Sequence, residues 1–153
     1  NTLEIRLEEY EPVARLKGPE DGIWLVAEDG RILEKAKPPR GVNLPLVVCS
    51  AAISPVVGEQ VSGVIADSLP IVALLLDEET GGGLPAVKEV TVSAAGELVL
   101  GWEGGTELRL GRPTQLEQKL KVASQIIEQY LRDGEQVDYV DVTAPERVAV
   151  KAD

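Results

Sequence analysis

Residues 136–151, QVDYVDVTAPERVAVK, contain two short β-type runs, Val137–Val142 and Arg147–Lys151, with a break at Pro145. Only Ala152 and Asp153 follow. A last strand with no sequence left to cover it is expected to remain an open sheet edge, and open edges are docking sites for other chains. Immediately upstream, Thr114–Leu131 predicts a helix. Thr114 and Glu117 have capping-box spacing, Leu116, Leu120, Ala123, Ile127 and Leu131 fall on one face, and Gly134 supplies a stop. Gln115, Gln118, Lys121, Gln125 and Glu128 fall on the opposite side, read as a solvated face. Such a helix is expected to cover a sheet.

Working back along the chain, Val87–Gly111 reads as a meander of three antiparallel strands, joined at Ala94–Gly96 and Glu103–Gly105. Val13–Leu16, Ile23–Ala27, Ile32–Leu33 and Leu44–Cys49 predict further strands. GPEDG at Gly18–Gly22 is a turn, Glu28–Arg31 a hairpin turn, and Lys35–Asn43 an aperiodic surface connection. Ser54 before Pro55 matches an N-cap with proline at the first helical position, which predicts a helix over Pro55–Asp67. Gly58, Gly63 and Pro70 interrupt that pattern, so a second helical piece at Pro70–Leu76 is expected after a kink or break, with a buried strand at Ile71–Leu76 as the competing reading. The sum is an α+β fold: a twisted, largely antiparallel β-sheet with two or three helices packed on one face. Thr2–Glu9 also alternates, and residues 1–10 are expected to be either the last strand of an upstream domain or the start of this one, with 11–153 forming the β domain proper.

Composition removes most chemistry. The 153 residues include no His, so a Ser/His/Asp triad and an HExxH zinc site are excluded, and with Cys49 as the single Cys so are a disulfide framework and a CxxC site. Cys49 itself, beside a β-branched run, is expected to be a buried small hydrophobe. A net charge of −11 repels phosphate backbones and anionic lipids, which argues against nucleic acid as a partner. No apolar run reaches the roughly 20 residues of a membrane helix. Acidic clusters at Glu8/Glu9/Glu11, Glu28/Asp29 and Asp77/Glu78/Glu79 lie at turns or element ends and read as solvated acids. TGGGLPA at residues 80–86 lacks phosphate-loop spacing and reads as a connector, while Trp24 and Trp102 sit among strand-type residues and read as core. No catalytic, cofactor or metal residues are predicted.

In order, the blocks EEYEPVA (Glu8–Ala14), WLVAEDGRIL (Trp24–Leu33), LP (Leu44, Pro45), GELVL…GTELRLG (Gly96–Gly111), the helix bearing Lys119 and Leu120, and DYVDVTAPERVAVK (Asp138–Lys151) resemble the extracytoplasmic β domain of the bacterial cell-division family FtsQ, called DivIB in many Gram-positive bacteria. The chain departs from that family at Ala27, where Asp is common, at Thr143, where Arg is common, and over Ala51–Leu76. The resemblance implies a cytoplasmic tail, one transmembrane helix and a small POTRA domain before Asn1, placing this domain on the outer side of the cell membrane. It further implies a non-enzymatic scaffold that recruits the coiled-coil division proteins FtsB and FtsL, an FtsB segment adding as a strand to the terminal strand beside the last helix. The matching positions here are Val142, Thr143, Arg147, Val148, Ala149, Val150 and Lys151. Val148 and Val150 share one face of that strand, and the basic Arg147 and Lys151 on the other face suit acidic partner residues. Two other readings are an envelope ligand-binding module, which requires a closed apolar pocket and a covered last strand, and an extracellular enzyme, which requires a carboxylate pair in a cleft.

Overall fold

In a strand every second side chain falls on one face, and paired strands align those side chains into rows across a sheet. The computed structural model describes residues 2–5, 9–81, 84–102 and 104–152. The described residues form nine strands in one sheet: β1 (Pro12–Lys17), β2 (Ile23–Ala27), β3 (Ile32–Lys35), β4 (Leu46–Cys49), β5 (Val87–Val92), β6 (Leu98–Trp102), β7 (Glu107–Gly111), β8 (Val137–Asp141) and β9 (Ala149–Ala152). Their order is β3-β2-β1-β4-β5-β6-β7-β8-β9. Pairing is antiparallel except at β1–β4, β4–β5 and β7–β8.

One row, Leu16, Val47, Val90, Leu100, Leu108, Val140 and Val150, runs from β1 to β9. All of its members except Val150 are buried. Two parallel junctions need crossovers. Helix α1 (Gly63–Leu76), followed by the helical turn α2 (Glu78–Gly81), connects β4 to β5, and helix α3 (Leu116–Arg132) lies between β7 and β8. Ile65, Leu69, Ile71 and Val72 of α1 join Leu116, Leu120, Ala123 and Ile127 of α3 in the core over that row. The fold is therefore the expected α+β sheet with helices on one face.

The other face carries a second row, Glu34, Leu25, Arg15, Leu46, Glu89, Gly101, Glu107, Tyr139 and Lys151. It is covered at Leu25, against which the 36–44 connection packs, Arg15 Nε donating to the Leu44 carbonyl at 3.0 Å. From β5 to β9 it is largely polar, with the Arg109 guanidinium over the Tyr139 ring at 3.8 Å.

Several local expectations fail. Helix α1 starts at Gly63 rather than Pro55, because residues 58–61 spend their backbone groups on β3 and its turn. Pro70 lies inside α1 without breaking it, while Ile71–Leu76 is helical as expected, not the competing strand. Burial of Ile71 and Val72, at 0% and 1% exposure, offsets the ~3 kcal/mol cost of an internal proline. Thr2–Ile5 form no strand, with Leu3 and Ile5 exposed, and residues 6–8 of the expected strand lie outside the described residues. Cys49 is half-buried rather than buried. Leu131 continues the stripe of α3 beyond the core and is 63% exposed. The end of α3 is as expected: Gly134 follows the C-cap Asp133, and its N–H and that of Glu135 donate to the Leu131 and Tyr130 carbonyls.

The capping box is not formed; Gln115 is the N-cap, in the left-handed region, without a side-chain bond to the helix. Lys119 orders this corner instead. Its side chain is 1% exposed, and Nζ donates to the Leu110 carbonyl at 2.8 Å and the Arg112 carbonyl at 2.9 Å, tying the first turn of α3 to the end of β7. Lys119→Met keeps the stem and removes both Nζ bonds, although the Arg112 carbonyl keeps the Thr114 N–H as a donor, so urea unfolding is expected to show a loss of about 2–3 kcal/mol. Burial also lowers the Lys119 pKa below the ordinary lysine value. A lowered folded pKa makes the charged form a cost to the fold, present at neutral pH and relieved as pH rises toward the unfolded value. The deficit of Lys119→Met relative to the parent should therefore widen, not narrow, as unfolding is repeated at increasing alkaline pH.

Candidate functional site

The described residues place β9 at one end of the sheet, paired to β8 on one side and to no strand on the other. Which of its backbone groups face outward follows from alternation. The Val142 N–H donates to the Arg109 carbonyl of β7 at 2.9 Å, so Val142 and Val140 direct their backbone toward β7. Tyr139 and Asp141 then direct theirs toward β9, where they stand opposite Lys151 and Ala149. Ala149 and Lys151 are thus the residues bonded to β8. The N–H and C=O of Val150 point away from the sheet, and Val148 continues that parity.

Side chains follow the other alternation. Val148 and Val150 pack partly against the core on the helix side. With Ile126, Gln129, Tyr130, Asp133 and Glu135 they line a groove of 360 Å³ between β9 and the C-terminal half of α3. Lys151 stands on the helix-free face with Nζ 3.7 Å from Asp138, an exposed pair worth little to stability. Arg147 is exposed, and its N–H closes a turn onto the Ala144 carbonyl at 2.8 Å that leads the chain into β9. The structure therefore brings Val148, Ala149, Val150 and Lys151 together along one edge.

Val142 and Thr143 stand apart from that edge. Val142 is fully buried, so its side chain supports the sheet from within. Thr143 is exposed, its N–H donating to Asp141 Oδ1 at 2.9 Å, and it lies so close to Gly111 that a Cβ there would sit 2.6 Å from its methyl. The groove residues on α3 went unread in the sequence. Their signal is a second apolar line, Val122, Ile126 and Tyr130 at i, i+4 and i+8, beside the main stripe.

The opposite edge is closed in part by the chain itself. Gly58 donates to the Ile32 carbonyl at 2.8 Å, and Ile32 donates to the Glu59 carbonyl at 2.9 Å. Acids expected at turns serve the turns: Asp29 Oδ1 accepts from the Arg31 N–H and Asp77 Oδ1 from the Glu79 N–H. Among the described residues no group of three or more His, Cys, Asp or Glu is arranged to hold a metal ion. Nor is any helix among them long and apolar enough to cross a membrane.

Sheet and helices together define an α+β domain whose β9 forms one edge of the sheet among the described residues. The family model described as Cell division protein FtsQ/DivIB, C-terminal, matches residues 14–143, and the chain belongs to that family, which gives it a role in cell division. A search of curated proteins found no match. The matched span ends before β9, so the residues of the exposed strand rest on the geometry above.

Proposed function

We propose that this domain is a non-enzymatic scaffold of the division machinery that captures an extended segment of FtsB, and with it FtsL, by strand addition at β9. The observation that carries the reading is the outer side of β9, which pairs with no strand among the described residues and lies beside a groove where Ile126, Tyr130, Val148 and Val150 form an apolar floor rimmed by Gln129, Asp133 and Glu135. An incoming strand would bond to Val150 and its neighbours, drop alternate apolar side chains into the groove, and present acids to Arg147 and Lys151. In the full-length protein this domain would follow a POTRA domain and a single transmembrane helix, on the extracytoplasmic side of the membrane at the septum. An edge strand open among the described residues is the opposite of the covered last strand that an envelope ligand-binding module requires.

Magnitudes decide where affinity comes from. A ladder of four to six bonds at about 0.5–1.5 kcal/mol each gives only a few kcal/mol, which association costs can consume. The groove must supply the rest. Tyr130→Ala, which removes a half-buried ring from the groove wall, is expected to weaken FtsB-segment binding by about 10-fold in isothermal titration calorimetry. Glu128→Ala on the solvated side of α3 should leave it unchanged. Equal affinities for the parent and Tyr130→Ala would remove the groove from the proposal.

A further inference from the structure

The two ends of the sheet complement each other. Glu34 of β3 and Lys151 of β9 terminate the same cross-sheet row and so lie on the same face. A second copy's β9 laid along β3 would bring Arg147 and Lys151 to the face that carries Glu34. Because the two edges differ, that contact does not close on itself and would repeat into an open filament. Self-pairing of β9 with β9 is less favourable, since an antiparallel pair centred on Ala149 sets Arg147 against Lys151 of the other copy.

We propose that residues 58–61 are an edge guard that keeps β3 closed to the β9 of a second copy, so that strand addition occurs at one end of the sheet. Ile32 is a β3 residue whose N–H and C=O both point outward, and Glu59 and Gly58 occupy both. Val61 donates to the Gly30 carbonyl at 2.9 Å, Gln60 Nε2 to the Asp29 carbonyl at 3.2 Å, and Arg31 Nη1 back to the Gly58 carbonyl at 3.4 Å. These bonds hold a segment that is neither helix nor named strand against the edge along the hairpin turn and the start of β3. Further along, Arg40 Nε sits 3.0 Å from Glu34 Oε1 and occupies the carboxylate that a neighbouring Lys151 would seek. The guard uses bonds that an intruding strand would otherwise make, so blocking the edge costs the fold nothing in unsatisfied backbone. The inference concerns only this chain's two edges and stands whether or not FtsB is the partner at β9.

Gly58→Pro tests it. Proline removes the N–H given to Ile32 and cannot adopt the φ of +91° found at Gly58, so the guard cannot close. Sedimentation velocity over a concentration series should show the parent as a monomer and Gly58→Pro as dimers and longer species. Adding Val150→Pro to the same chain should return it to monomer by closing β9. A folded Gly58→Pro that stays monomeric, or assemblies that persist with Val150→Pro, would overturn the proposal. If Gly58→Pro does not fold, amide hydrogen exchange on the parent decides: Gly58 and Ile32 amides protected far above peptide rates support the guard, and exchange at peptide rates overturns it.

Discussion

Val150→Pro is expected to abolish the proposed capture of an FtsB segment while leaving the fold in place. The Val150 N–H points away from β8, so its loss removes no bond of the β8–β9 ladder, and the proline ring projects into the path of an incoming strand. One lost ladder bond plus that clash amounts to about 2–4 kcal/mol, or tens to several hundred-fold in affinity. Titration calorimetry with the FtsB segment should therefore fall to the limit of detection, with far-UV circular dichroism unaltered. Val148→Pro shares the parity and should behave alike. Ala149→Pro has the opposite parity: it removes a bond to β8 opposite Asp141 and is expected to lower the stability of the domain itself. Equal effects of Val150→Pro and Ala149→Pro on stability would mean that the outward parity of Val150 is misassigned.

The largest loss of stability is expected from Leu100→Ala. Leu100 is fully buried at the middle of the cross-sheet row, between Val90 and Leu108 and under both helices. Truncation there leaves a cavity that rigid strands cannot collapse, at a cost of about 3–4 kcal/mol. Against a typical ΔG of about 5–15 kcal/mol that is a large fraction, and at about 2–4 °C per kcal/mol the melting temperature should drop by roughly 6–16 °C. Val99→Ala, one residue earlier and on the open face, should cost about 1 kcal/mol or less by the same measurement. A Leu100→Ala variant as stable as Val99→Ala would contradict the assignment of the two faces.

Most strands were legible in the sequence because alternation is local. TELRLG and VDYVDV each declare which side chains go inward, and the register then aligns Leu108 with Val140 and Val150. Helix α3 was legible for the same reason, through its stripe from Leu116 to Ile127. What misled were local cap signals overruled by contacts outside the cap itself. Ser54–Pro55 has the form of a helix start, yet residues 58–61 are taken by Ile32 and its neighbours, some 30 positions earlier in the chain. Thr114 and Glu117 have the spacing of a capping box, yet the buried Lys119 ammonium orders the turn before the helix.

The candidate site was legible in part. The parity of Val148 and Val150 against Arg147 and Lys151 follows from spacing alone. Burial of Val142 does not, because it depends on the parallel pairing of β8 with β7, set by the α3 crossover. The groove residues Ile126 and Tyr130 were hidden by the stronger stripe beside them, and only the position of β9 against α3 gives them a role.

The most direct test is amide hydrogen exchange at β9 with and without a saturating FtsB segment. In the free domain the Ala149 and Lys151 amides should be protected and the Val150 amide should exchange quickly; on binding, Val150 should become protected while its two neighbours change little. A Val150 amide that is already protected in the free domain, or that stays unprotected at saturation, would contradict strand addition at this edge.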